Sequence, residues 1–120
     1  GTLRTRAVSA LSPLAADVVV TGHDREAIGL LIFSSVQARS LAPQDLRAEI
    51  RAGLLALRAE GVGSSQAPAF ALVLDEPPSV DAGEITDKGY INQRAVLQRR
   101  AAQVETLYAS ADDEPAVIRV

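Results

Sequence analysis

The chain has no cysteine, no methionine and no tryptophan, and only one of its twelve basic side chains is a lysine. Each shortage excludes something. Without cysteine there is no disulfide and no thiolate metal site, so stability must come from packing. Without methionine, even at position 1, the chain is expected to be a domain cut from a longer protein, with Gly1 left by the excision. A surplus of positive charge is also missing: the net charge is −3 at pH 7. Nucleic acid is therefore not an expected partner, because its affinity comes from clustered cations that release counterions. No apolar run approaches the length that crosses a bilayer, and the N-terminus lacks the regions of a signal peptide. No membrane partner is expected, and a soluble, cytoplasmic protein is.

What is present is enough for one core: 120 residues, 48% of them apolar. Thr2 suits the N-cap of a short helix in which Leu3, Ala7, Val8, Leu11 and Leu14 recur at helical spacing, with Pro13 marking its end. Asp17 to Gly22 and Ile28 to Phe33 are short β-rich runs, and the polar stretch HDRE between them predicts a hairpin. Neither run alternates with polar residues, so the sheet is expected to be covered on at least part of each face. Pro43 opens a longer helix to about Glu60, striped by Leu46, Ile50, Leu54 and Leu57 and interrupted by Gly53. After the loop GVGSSQAP comes a third strand, Phe70 to Leu74. Residues 75–90, with two prolines and two glycines, exclude regular structure. From about Ile91 the pattern is helical again, with Leu97, Ala101, Val104 and Tyr108 on one face, and the tail from Asp112 is expected to be frayed or an extended edge segment. The order predicts an α+β domain over residues 1–120, a three-stranded sheet flanked by helices.

Familiar catalytic motifs are absent: no GxGxxG, Walker loop, CxxC or HExxH. His23, the single histidine, reads as an ordinary turn residue, since a metal site or triad needs partners at suitable spacing. Asp81, Glu84 and Asp87 do not follow the alternation of an EF-hand, and no metal is expected. Arg94, Arg99 and Arg100 read as a solvated helix face with aliphatic stems on the core. Lys88 stands between two glycines, beside Thr86 and Tyr90, just before a helix that can anchor the loop. By residue type alone it is either an ordinary exposed loop lysine or a mobile point charge suited to sit between anionic oxygens, where arginine's planar fork demands a bidentate partner.

The stretch DEPPSVDAGEITDKGYINQRAVLQRR resembles the C-terminal end of feruloyl-CoA synthases, members of the acyl- and aryl-CoA synthetase family of adenylate-forming enzymes. GTLRTRAVSALSPLAADVVVTGHDREAIGLLIF is similar to the same group, so the resemblance spans nearly the whole chain, most specifically in GHDREAIGLLIF and DAGEITDKGYINQR. It implies a C-terminal lid that closes over an N-terminal domain holding ATP, Mg2+ and the carboxylic acid, here ferulate or a related hydroxycinnamate, and then rotates for thioester formation with coenzyme A. By its place in the motif, Lys88 would be the lysine that bridges the acid's carboxylate and the nucleotide. Thr86, Asp87, Gly89 and Arg94 would be its neighbours at substrate or nucleotide, Arg94 by pairing with Asp87 or a phosphate. The family usually places glycine directly before that lysine, whereas here Asp87 precedes it and Gly89 follows. The resemblance puts the hinge, the phosphate-binding loop and the substrate pocket before Gly1, so this piece alone is expected to bind no cofactor and to be inactive. Two other readings stand beside this one: a non-catalytic α+β interaction or regulatory domain, and the lid of another adenylate-forming enzyme.

Overall fold

A computed structural model describes residues 3–60, 67–109 and 116–120. Two β-rich runs join through an exposed polar turn because their side chains are apolar on both faces and must be covered on both. Strand β1 (Ala15–Thr21) pairs antiparallel with β2 (Ile28–Ser34), Val18 opposite Ile32 and Val20 opposite Leu30. A third strand, β3 (Pro68–Leu74), lies parallel to β2, with Ile32 opposite Val73. The parallel pairing requires a crossover. It is supplied by α2 (Val36–Arg39), capped by the Ser35 hydroxyl, and α3 (Pro43–Ala59), which has proline at its first position.

The sheet has four strands in the order β1-β2-β3-β4, not three. The fourth is β4 (Val117–Arg119), antiparallel to β3. Of the two forms expected for the tail, frayed or an extended edge segment, residues 117–119 take the second, and the pairing buries Val117 and Ile118. Thr2, residues 61–66 of the GVGSSQAP loop and residues 112–115 of the tail lie outside the described residues.

The strand alternation sorts the core into two layers. Val18, Leu30, Ile32, Ala71 and Ile118 face Ala7 of α1 (Leu3–Ala10), Leu11 and Leu14 beyond its end, and Ile50, Leu54 and Leu57 of α3. Gly53 sits where α1 and α3 meet: a Cβ there would lie 2.6 Å from Leu11 Cδ2 and 3.0 Å from the carbonyl of Ala10. The helix-weakening residue is therefore the one the close approach admits. Val19, Leu31, Phe33, Phe70, Leu72 and Val117 face the other way, toward Val96 and Leu107.

The last helical stretch is not continuous. It breaks at Arg100 (φ −107°, ψ 34°) into α4 (Gln93–Arg99) and α5 (Ala101–Tyr108). The break turns Arg100 inward, so it does not belong to the solvated face that its sequence pattern predicts: it is 4% exposed. The physical reason is an acidic partner from the preceding loop.

Candidate functional site

The segment leaving β3 is ordered by its own polar groups. Residues 79–84 form one helical turn closed at its end: Glu84 N–H donates to the carbonyl of Ser79 (2.9 Å) and Gly83 N–H to that of Val80 (3.1 Å). Gly83, with φ +78°, supplies the left-handed residue that this ending needs. The Ser79 hydroxyl accepts from Ala82 N–H at 3.1 Å and caps the turn's start.

A tight hairpin follows. Ile85 and Ile91 are bridged, Thr86 N–H donates to the carbonyl of Tyr90 (2.7 Å), and Gly89 N–H donates to that of Thr86 (2.9 Å). The Thr86 hydroxyl also accepts from Tyr90 N–H at 3.2 Å. Asp87, Lys88 and Gly89 are thus a three-residue connection whose last position takes positive φ, here +86°. Glycine after the lysine is what the turn demands, and Thr86 closes the loop. Lys88 stands at the apex, exposed, with no ion-pair partner among the described residues.

Glu84 joins the two turns and is fully buried. Arg100 meets its carboxylate with both prongs, Nε to Oε2 and Nη2 to Oε1, each at 2.9 Å. The same guanidinium donates to the carbonyls of Glu76 (2.8 Å) and Pro77 (2.9 Å), and lies 5.0 Å above the ring of Phe33. Glu84 Oε1 also accepts from Ser79 N–H (2.9 Å) and from Arg99 Nη1 (3.1 Å). The Arg100 hydrogen bonds hold the Glu84 carboxyl below its ordinary value of 4.5, aided by the Ser79 N–H and the charges of Arg100 and Arg99, while burial pushes the other way. The Glu84 carbonyl accepts from Asn92 N–H (2.8 Å), and Asn92 caps α4 through its side chain (Ala95 N–H, 3.2 Å). Gln93 then anchors that helix to the edge of β1, donating to the carbonyl of Val18 (3.2 Å) and accepting from Val20 N–H (3.3 Å).

The sequence-predicted residues thus separate into two groups. Thr86, Asp87, Lys88 and Gly89 share one hairpin. Arg94 is exposed on α4, does not pair with Asp87 among the described residues, and lines a shallow cavity with His23, Gln93, Leu97 and Gln98. Among the described residues no group of three His, Asp or Glu side chains is placed to hold a metal ion. Glu84 and Arg100 are the residues that sequence reasoning missed as a pair; they lie sixteen positions apart, which no periodic pattern links. The hairpin's other flank is open: a cavity of about 570 Å3 lies between it and α2–α3, lined by Phe33, Leu41, Leu46, Pro78, Ile85 and Gly89 among others.

A small mixed sheet with helices on both faces is the architecture of a known domain class. The chain belongs to the family described as the AMP-binding enzyme C-terminal domain, whose profile matches residues 4–112. Its fold matches that of a part of three solved adenylation-domain structures. It aligns with the A-PCP didomain of carboxylic acid reductase from Segniliparus rugosus in complex with AMP at TM-score 0.69 and 22% identity, covering 88% of this chain and 16% of that one. It aligns with the adenylation domain of a carboxylate reductase from Mycobacterium chelonae at TM-score 0.71 and 20% identity, covering 88% of this chain and 18% of that one. The A domain of the Segniliparus rugosus enzyme, with AMP and a co-purified carboxylic acid, gives TM-score 0.69 and 21% identity over 90% of this chain and 18% of that one. The chain therefore spans less than a fifth of the length of these proteins. No curated protein matches it in sequence.

Proposed function

We propose that this domain is the lid of an ATP-dependent acid-CoA ligase that activates ferulate or a related hydroxycinnamate in the cytoplasm, with Lys88 as the lysine of the adenylation step. The observation that carries the reading is Lys88 itself, an exposed ammonium with no ion-pair partner among the described residues, at the apex of a hairpin whose base is fixed by a buried ion pair. Its chemistry suits the task. A carboxylate must approach the α-phosphate of ATP, and a compact cation between them lowers their repulsion and stabilises charge that develops there. A cation on an ordered turn reaches that position when the lid closes, with little side-chain reorganisation left to the reaction. ATP, Mg2+, the acid and coenzyme A would bind mainly on the preceding N-terminal domain.

The test uses the full-length enzyme, assayed with ferulate, p-coumarate, benzoate and octanoate. With the best acid of that panel, Lys88→Ala is expected to lower ATP-dependent adenylate formation by about a hundredfold or more, the scale set by removing one preorganised charge-stabilising donor. Thioester formation from the preformed adenylate and coenzyme A is expected to persist. Retention of full adenylation would reduce Lys88 to a surface residue and favour a non-catalytic interaction domain. Preference for benzoate or octanoate would move the reading to another acid.

The fold neighbours favour one further reading, in which the acyl group passes to a carrier-protein thiol instead of coenzyme A, since one of them is an adenylation domain joined to a PCP. Transfer to a phosphopantetheinylated carrier but not to free coenzyme A would select it.

A further inference from the structure

Between Asp75 and Tyr90 only one residue is buried, and it is a glutamate. The hairpin that carries Lys88 touches the core through the half-buried Ile91, bridged to Ile85, and the one fully buried residue of the segment is Glu84. Resting on the assignment of Lys88 given above, we propose that Glu84 and Arg100 are positioning residues for the adenylation step: the buried pair aims the Lys88 hairpin.

The geometry supports aim as well as attachment. A guanidinium that meets both carboxylate oxygens is fixed in its plane as well as its distance. Here the same plane is fixed again by the carbonyls of Glu76 and Pro77, on the strand side of the loop. Glu84 transmits that fixed plane in two directions, to the helical turn through Ser79 N–H and to the far end of the hairpin through Asn92 N–H on its own carbonyl. Both ends of the stretch 76–92 are thus referred to one guanidinium, and that guanidinium sits at the break between α4 and α5, packed over Phe33 of β2. On its other flank the hairpin faces the cavity beside α2–α3, so the pair shares the hold on the hairpin with the half-buried Ile91. Arg99, 41% exposed at its side chain, adds a second cation to Glu84 and lies 3.9 Å from the Glu76 carboxylate, which strengthens the pair from outside. Misplacement of a reacting group by about 1 Å is enough to cost on the order of a hundredfold in rate, so a hairpin free to shift would fail without losing its lysine.

The experiment is a double-mutant cycle in the full-length enzyme with Lys88→Ala, Glu84→Gln and the two together, measuring adenylate formation and thioester formation from preformed adenylate. Glutamine keeps the size of the side chain and an acceptor for Ser79 N–H but loses the charge-assisted fork. Glu84→Gln is expected to lower kcat of adenylation by about ten- to a hundredfold with the KM for ATP little changed, and to leave the thioester half-reaction within about twofold. Added to Lys88→Ala it is expected to cost less than about a further twofold, because a residue that acts through the lysine has nothing left to aim. Equal losses in both half-reactions, full additivity, or no loss would overturn the proposal while leaving the Lys88 assignment standing. Full activity of Lys88→Ala would overturn both. If Glu84→Gln does not give soluble enzyme, Arg100→Lys, which keeps the cation and loses the fork, enters the same cycle. Failure of both variants to fold would show that the pair only holds the domain together, and would also overturn it.

Discussion

The two faces of the sheet are closed by different chemistry. Against α1 and α3 the fully buried contact is aliphatic, with Ala7, Leu11, Ile50, Leu54 and Leu57 on Val18, Leu30 and Ile32, and the polar contacts, Arg4 on Asp17 and Arg47 on the carbonyl of Val117, lie at its half-buried margin. Against α4 and α5, Val96 and Leu107 cover Val19, Leu31 and Phe33, but the helix break also lowers Arg100 onto Phe33 and joins it to Glu84. Dispersion and apolar burial on the first face specify volume and little else. The fully buried ionic contact on the second specifies direction, and it is the second face that leads to the hairpin bearing Lys88. The difference separates the part of the domain that holds the fold from the part that presents a residue.

The largest effect that separates the two faces is on stability. Removing one partner of a buried pair leaves an uncompensated charge, so Glu84→Ala is expected to lower the unfolding free energy by about 3–5 kcal/mol. Replacing buried pairs with apolar side chains is often neutral elsewhere. Here Glu84→Leu combined with Arg100→Met is expected to remain destabilising, because Ser79 N–H and the carbonyls of Glu76 and Pro77 would lose their partners. Denaturant midpoints decide it, and a doubly apolar chain as stable as the parent would show that the polar groups are satisfied some other way. On the aliphatic face Leu54→Ala is expected to cost about 3 kcal/mol. It should leave the ratio of the two half-reaction rates unchanged in the full-length enzyme; a changed ratio would erase the contrast between the faces.

Acid sharpens the same contrast. Because Glu84 is held below its ordinary value of 4.5 in the folded chain, its stabilising contribution is complete above that value and is lost as pH falls through the lowered one. Glu84→Gln is expected to remove this part of the acid limb of the stability curve, whereas Leu54→Ala lowers the curve without changing its shape. Unfolding free energies measured from pH 7 downward test it, and an acid limb unchanged in Glu84→Gln would mean that other carboxylates set it.

What was legible in the sequence follows the same division. Periodicity marked Ile50, Leu54 and Leu57, the hairpin of β1 and β2 and the coverage of both sheet faces, because apolar burial repeats at the spacing of the element that carries it. Lys88 stood out by residue type and by its glycines, and the turn geometry explains Gly89. Three features were not legible. The strand Val117–Arg119 is too short to declare itself without the β3 edge it pairs with. The helix α2 spans only Val36–Arg39, one turn with no pattern to repeat. Arg100 looked like its neighbour Arg99, since nothing in a helical pattern distinguishes an outward arginine from one turned inward at a break. Its burial depends on Glu84, and a contact across a loop leaves no period.

The smallest effect concerns two glycines that are required for opposite reasons. At Gly53 on the aliphatic face the backbone is ordinary helix and space is missing, with Leu11 Cδ2 only 2.6 Å from where a Cβ would stand. At Gly89 in the hairpin nothing lies within 4 Å, and the obstacle is φ at +86°. Alanine is therefore expected to destabilise both, by about 1–3 kcal/mol through overpacking at 53 and by about 1–2 kcal/mol through backbone strain at 89. Asparagine separates them. It visits left-handed backbone more readily than alanine, so Gly89→Asn should recover much of what Gly89→Ala loses, while Gly53→Asn, larger still, should be worse than Gly53→Ala. Thermal melts of the four variants measure this. If asparagine were no better than alanine at 89, the turn would be limited by something other than its backbone, and the hairpin would have to be held by contacts of the Gly89 position itself and not from its base at Glu84.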